Sequence, residues 1–357
     1  MCCGDPEYVK YKLRVFGLSL SLFNFDRSFY MALGPIGRNG KSSESYLFNE
    51  VAMSQSPNRG YYLSREYLTK ASQDRKGANS PDTVLTESAD KTVVIADECR
   101  DTPLDGSLIK AFVSGEKTSA RNLYESERVS VEPRFSLWVI ANKTLKIDYS
   151  DRALMTRLKM LPYDAQWVSN PAAVKKTMPF PHNQFIFQDD PYFKDKTLKS
   201  WGSAFVTKCL HELHLFFAAL PRDPEDPTRP LKLETFPVPP RVRDFTQTKV
   251  EKEHPVLSFI KRFLAVTPLE DEGTDVDVVF QNFRQLGRNE NNMRIKHMAQ
   301  SQFIESLQKE FIETSVDDEG VNRLCGYKLI KEVPVKDTRV DVPSFYEPAP
   351  KRARFDD

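Results

Sequence analysis

The stretch Gly34-Pro35-Ile36-Gly37-Arg38-Asn39-Gly40-Lys41-Ser42 gathers glycines, a lysine and a hydroxyl at a spacing suited to a polyphosphate. Glycines let backbone N–H groups close around phosphate oxygens, and a helix beginning beyond them turns its positive end the same way. In such a loop Lys41 reaches the β- and γ-phosphates, and the Ser42 hydroxyl ligates Mg²⁺. Gly34, Gly37, Asn39, Gly40 and Ser43 complete the cofactor-binding set, for which ATP with Mg²⁺ is expected. The pattern G-x-x-x-x-G-K-[ST] is not met in full, because Pro35 holds its first glycine position and Gly34 sits one residue early. The loop is therefore expected to be one residue longer than usual. Gly-Lys-Ser also recurs by chance, so its neighbours along the chain have to decide.

Two adjacent carboxylates, Asp97 and Glu98, close the apolar, β-branched run 91–96. A continuous run of this kind suits a buried parallel strand, whose C-terminal edge is where α/β folds place ligands. Asp97 is then the candidate for the Mg²⁺ water shell and Glu98 for polarising the attacking water. Taken alone, the same run reads equally as a core strand ending in two solvated acids. A further strand, Phe135 to Ala141, ends at Asn142, whose neutral amide can orient water against a γ-phosphate; alone it reads as a turn former. Beyond it, 151–157 ends in Arg157, a candidate for stabilising charge on a transferring phosphoryl group, or else a surface ion-pair partner.

The elements that must hold these groups follow the order strand, loop, helix, strand, strand. Phe29 to Leu33 reads as the strand before the loop and Ser43 to Met53 as the helix after it. That order, with Lys110-x-x-x-Ser114-Gly115-Glu116-x-x-x-Ala120-Arg121-x-x-Tyr124 between Glu98 and Asn142, resembles superfamily 3 helicases. The similarity is greatest to helicase domains attached to primases in large DNA viruses, phages and plasmids. It covers Asp5 to Tyr163 closely and most of the remainder loosely. The chain departs from the family in lacking one glycine near Glu116, in a single Arg157 after Thr156 and in having no proline near Asn142. The resemblance implies an AAA+-like P-loop ATPase and a homo-oligomeric ring, usually a hexamer. ATP would sit between subunits, with Arg157 supplied by the neighbour.

The region 110–132 suits a nucleic-acid backbone: Lys110, Lys117, Arg121 and Arg128 supply charge, and Val129-Ser130-Val131 alternates like one arm of a hairpin. Such charge binds phosphates without reading sequence. A solvated surface hairpin is the competing reading, since Glu116, Glu125, Glu127 and Glu132 nearly cancel it, and Arg121 could serve the nucleotide instead. In the family this segment lines the ring channel and draws single-stranded DNA through at a fork.

Over the 357 residues, 51 Lys and Arg stand against 50 Asp and Glu, so a DNA site must be a local patch or channel. No apolar run approaches membrane-spanning length, and no apolar h-region opens the chain, so neither membrane contact nor secretion is expected. Cys2, Cys3, Cys99, Cys209 and Cys325 are odd in number and scattered, which fits a reducing compartment. His211 and His214 lack further ligands for a metal.

The expected organisation is α/β. A helical segment, 1–28, precedes a P-loop core at 29–163, a parallel sheet flanked by helices. A helical extension, 164–220, and a proline-rich linker, 221–245, follow. A small winged-helix-like module occupies 246–332, with helices at His254 to Val266, Asp277 to Leu286 and Ser301 to Phe311 and two strands within Thr314 to Leu329. Its basic surface is Arg284, Arg288, Arg294, Lys296 and His297, so DNA reading and protein contact stand side by side. The tail, 333–357, is polar, and its cluster Lys351 to Arg354 has the form of a nuclear-import signal. Without that signal a cytoplasmic replication site is expected.

The reading is an ATP-driven replicative DNA helicase of a virus or mobile element. With no primase domain ahead of the motor, primer synthesis would need a separate primase or polymerase, or a longer chain. The alternatives are a packaging or remodelling ATPase that does not unwind, and a DNA-binding assembly subunit with a degenerate loop.

Overall fold

The computed structural model of the chain describes residues 2, 4–21, 25–34, 37–48, 59–64, 66–74, 82–88, 90–97, 103–121, 127–177, 182–226, 235–267, 273–310, 312–317 and 319–333. They form two compact units, residues 1–253 and 254–357.

In the first unit the elements run α1 (Pro6–Ser19), β1 (Phe29–Leu33), α2 (Lys41–Tyr46), β2 (Gly60–Leu63), α3 (Lys70–Asp74), α4 (Thr83–Ser88), β3 (Val93–Ala96) and α5 (Gly106–Ser114). There follow β4 (Thr118–Ala120), β5 (Val129–Val131), β6 (Ser136–Ala141), α6 (Arg152–Arg157), β7 (Leu158–Pro162), β8 (Gln166–Val168), α7 (Pro171–Thr177), β9 (Ile186–Gln188), α8 (Gly202–Ala219) and α9 (Pro240–Glu253). Strands β2, β3, β6, β1 and β7 lie in that order in one five-stranded sheet. Every neighbouring pair is parallel. This is the α/β sheet flanked by helices that the sequence leads one to expect of a P-loop NTPase.

The sheet has a core on each face because β-strand side chains alternate. Phe29, Met31 and Leu33 of β1 enter one core with Val139, Met160 and Phe112. Tyr30 and Ala32 enter the other with Trp138, Leu161 and residues of α1 and α8. Both faces being covered, β1, β3 and β6 are buried at every position, which is why they read as continuous apolar runs.

Helix α1 begins at Pro6, with the Asp5 side chain accepting the Tyr8 N–H at 3.0 Å. It packs on α8 so closely that a Cβ at Gly17 would lie 2.7 Å from the Cys209 carbonyl oxygen. The helix expected at Ser43 to Met53 begins earlier, at Lys41, and its α-helical part ends at Tyr46; residues 49–58 lie outside the described residues.

Beyond residues 227–234, which lie outside the described residues, the chain packs into the core. Phe236 is buried against Phe25 and Phe216, and its N–H donates to Asp26 at 3.2 Å. Next, α9 docks on β7, where Met160 N–H donates to Thr246 Oγ1 at 3.0 Å. The compact division falls after Glu253.

The second unit contains α10 (Pro255–Phe263), β10 (Leu264–Val266), α11 (Val276–Asn289), α12 (Met293–His297), α13 (Gln300–Lys309), β11 (Thr314–Val316), β12 (Asn322–Leu324) and β13 (Tyr327–Leu329). Phe259, Phe283, Phe303, Leu286 and Leu307 fill its core. The antiparallel pairs β10–β13 and β11–β12 close it. The tail cluster Lys351 to Arg354 lies outside the described residues.

Candidate functional site

Parallel register brings the tips of three strands together. Leu33 of β1 stands opposite Ala141 of β6, so Gly34 and Asn142 leave the sheet side by side. Ala96 of β3 pairs with Val139, which sets Asp97 on the same edge. Strand β6 lies between the strand that feeds the glycine loop and the strand that carries Asp97.

The loop returns over this edge into α2. Gly40 takes φ +90°, a left-handed conformation natural to glycine, and caps α2 with its carbonyl accepting the Glu44 N–H at 2.9 Å. Gly34 is required for a different reason. A Cβ there would lie 2.0 Å from Asn39 Nδ2 and 2.9 Å from the Tyr163 oxygen, so Asn39 could not fold down beside the strand end. Gly37 and Ser42 are exposed on the loop, Ser43 is partly so, and Pro35 and Ile36 lie outside the described residues.

Lys41 is buried, and its ammonium donates to the Gly34 carbonyl at 3.0 Å and to Asn142 Oδ1 at 2.8 Å. Burial lowers its pKa to about 8, and the Asp97 carboxylate opposes that shift. A desolvated ammonium held mainly by neutral oxygens is prepared for an anion. Asp97 is partly exposed; Glu98 lies outside the described residues.

A buried network that sequence reasoning passed over supports α2 from beneath. Lys12 of α1 donates to Glu44 Oε2 at 2.6 Å and to the Tyr163 hydroxyl at 3.0 Å. The Tyr163 hydroxyl in turn donates to Glu44 Oε1 at 2.7 Å. All three residues are buried, so each charge has its partner where water is excluded. The signal for it was present: Lys12 falls between Tyr8 and Phe16 on the apolar face of α1, where a lysine is out of place without a partner.

Arg157 closes α6, donating to the Ala153 oxygen at 2.6 Å and to Ser114 Oγ at 3.2 Å. Lys110 of α5 lies 2.7 Å from Asp151 Oδ2, whose other oxygen caps α6 by accepting the Leu154 N–H at 3.0 Å. The expectation that Lys110 contacts nucleic acid therefore meets an intramolecular role, since its charge is matched by Asp151. Burial pushes the Asp151 carboxyl up, but the Lys110 and backbone hydrogen bonds outweigh it and leave the pKa below the ordinary aspartate value.

Strands β4 and β5 form the expected antiparallel arms, Ser119 opposite Ser130. Lys117 and Arg128 are exposed at this hairpin and Arg121 is partly so; residues 122–126 lie outside the described residues. The structure thus gathers Gly34, Asn39, Gly40, Lys41, Asp97 and Asn142 at one sheet edge, and Lys117, Arg121 and Arg128 on a hairpin. His211 and His214 are exposed, and among the described residues no group of three His, Cys, Asp or Glu could hold a metal ion.

No family model matches the chain. It is 25% identical over 209 residues to a protein of Acanthamoeba polyphaga mimivirus that carries a helicase name, an alignment covering 57% of this chain and 20% of that one. The chain thus spans about a fifth of the length of this curated relative. Among solved structures, the NrS-1 C-terminal region aligns over 90% of this chain and 75% of its own, with TM-score 0.41 and 11% identity. JCV helicase aligns over 73% and 61%, with TM-score 0.29 and 11% identity. In its order of motifs from Gly34 to Arg157 this chain is similar to superfamily 3 helicases, and over 57% of its length it is distantly similar to a mimivirus protein that carries a helicase name.

Proposed function

We propose that the chain is an ATP-driven DNA helicase of superfamily 3 type, working as a ring on single-stranded DNA at a fork. The observation that carries this is the Lys41 ammonium, buried at the sheet edge between Gly34 and Asn142. A lysine from the loop and an amide from the neighbouring strand converge there, where a γ-phosphate would sit. Loop N–H groups and Lys41 bind the polyphosphate, and Asn142 orients the attacking water. Glu98 accepts the proton of that water in this reading.

Ser42 and Asp97 fit Mg²⁺, which binds one or two protein oxygens and completes its shell with water and phosphate oxygens. When bound, it neutralises charge on the phosphates. Arg157 acts on the neighbouring subunit's nucleotide. Exposed Lys117 and Arg128 give the β4–β5 hairpin its charge for the DNA backbone. The second unit, with its helix–strand–helix–helix–helix–strands order, is read as a winged-helix-like module.

The test is ATP hydrolysis by the purified protein with and without single-stranded DNA, beside Lys41→Ala, Arg157→Ala and an equal mixture of the two variants. DNA-stimulated turnover, lost in each variant and partly restored in the mixture, is expected of a shared site. No turnover by an assembled ring would sink the enzyme reading. Turnover without separation of a forked duplex would favour a packaging or remodelling motor.

A further inference from the structure

A cleft of about 580 Å³ opens beside the glycine loop. Arg38, Gly40 and Ser43 form one wall, and Trp167, Asp189 and Phe193 stand in the other. The volume lies within the range of about 300–1,000 Å³ typical of small-molecule sites.

The walls are joined where the loop meets the strand pair β8–β9. Trp167 N–H donates to the Arg38 carbonyl at 2.9 Å, and the Arg38 guanidinium lies 3.7 Å from the Asp189 carboxylate. Trp167 stands opposite Phe187 in the parallel pair, with ring centroids 5.7 Å apart, so a second ring backs the indole. Asp190 adds another carboxylate to the far wall, with Oδ1 accepting the Tyr192 N–H at 2.9 Å.

The two sides differ in chemistry. The loop offers backbone N–H groups and cations. The far wall offers aromatic rings and two carboxylates, which would repel a polyphosphate but accept hydrogen bonds from hydroxyls. A flat, uncharged, hydroxyl-bearing group suits it, and in a nucleotide that group is the nucleoside. We infer that this cleft is the nucleoside subsite for a nucleotide whose phosphates lie on Gly34 to Ser42. The base stacks on Trp167 and Phe193, and the ribose hydroxyls donate to Asp189 or Asp190. The inference rests on the phosphate-loop reading above and adds what that loop leaves open, since a phosphate cradle is blind to the base.

The test is calorimetric titration of the full chain with Mg²⁺-ATP, with 2′,3′-dideoxy-ATP and with inorganic tripolyphosphate. Wild type, Trp167→Ala, Trp167→Phe, Phe193→Ala and Lys41→Ala are compared. Losing a stacking platform weakens ATP about tenfold, by the usual strength of base–aromatic stacking. Trp167→Ala is therefore expected to weaken ATP by that factor and leave tripolyphosphate unchanged. Trp167→Phe should retain most ATP affinity, and Phe193→Ala, which leaves the strand pair intact, should also lose ATP selectively. Dideoxy-ATP should bind several-fold more weakly than ATP; equal binding overturns the ribose contact. ATP affinity unchanged in both alanine variants, or ATP and tripolyphosphate weakened equally, overturns the subsite. Tripolyphosphate binding that ignores Lys41→Ala instead overturns the phosphate-loop reading itself.

Discussion

Nucleotide binding should draw protons from solution, in an amount set by Lys41. Burial lowers its ammonium to a pKa of about 8. Phosphate oxygens against Nζ favour the charged form and return the group toward the ordinary lysine value of about 10.4. The neutral fraction of a group with pKa 8 is about a tenth at pH 7, a half at pH 8 and nine tenths at pH 9. Those fractions are the protons taken up per nucleotide, so uptake climbs with pH and apparent affinity falls above pH 8. Titration calorimetry in buffers of different ionisation enthalpy reads the number directly. Asn142→Asp supplies the control, because it sets a carboxylate where Oδ1 now lies 2.8 Å from Nζ. An opposite charge so close raises the lysine by about one to three units, cutting uptake at pH 8 to about a tenth of a proton or less. Proton release, or no uptake, by the wild type at pH 9 would refute the reasoning. Stability follows the same linkage. Between about pH 8 and 10.4 the unfolded chain holds a proton that the folded site has lost, so the unliganded protein gains stability as pH rises through that window.

Other consequences can be measured on the purified protein. Lys12→Met leaves Glu44 charged and buried and should cost about 3–5 kcal/mol in urea unfolding, while Lys12→Met with Glu44→Leu costs less; a single-variant cost below about 1 kcal/mol would show that the network contributes little. Asp151→Ala loses both the α6 cap and the Lys110 pair, so it should cost about 1–2 kcal/mol and more than Lys110→Ala. The contribution of Asp151 is full above the ordinary aspartate pKa of about 3.9 and is lost as pH falls through its lower folded value, a window that acid titration of both variants can resolve. Gly34→Ala should weaken nucleotide binding about tenfold and cost about 1–3 kcal/mol in urea unfolding, because the added Cβ displaces Asn39 and crowds the Tyr163 carbonyl oxygen.

The sheet was legible where its strands are buried on both faces. The runs ending at Leu33, Ala96 and Ala141 announce themselves because, Ser136 aside, their strand positions are apolar or aromatic. Helix α1 lies within the segment 1–28 expected to be helical and ends at Ser19. Lys41 and Asn142 were both read as meeting a γ-phosphate, but their direct hydrogen bond was not legible, since they lie 101 residues apart and meet through strand register. The pairing of Lys110 with Asp151 was hidden too, because the two lie 41 residues apart in sequence. The cleft wall was hidden for a similar reason. Strands β8 and β9 are three residues each, too short to show alternation, and are joined in parallel across 17 intervening residues, 169–185.

The alternation of β1 between two cores limits where this chain can change length. Phe29, Met31 and Leu33 belong to one interior and Tyr30 and Ala32 to the other. An insertion within the strand would send each residue beyond it into the wrong interior, a penalty spread over both faces at once. After Leu33 that constraint ends, because the chain leaves the sheet and exposes Gly37 and Arg38. The register departure at Pro35 falls on the permissive side of this boundary. Variants that lengthen or shorten the loop between Pro35 and Arg38 should therefore change nucleotide affinity while the sheet keeps its frame.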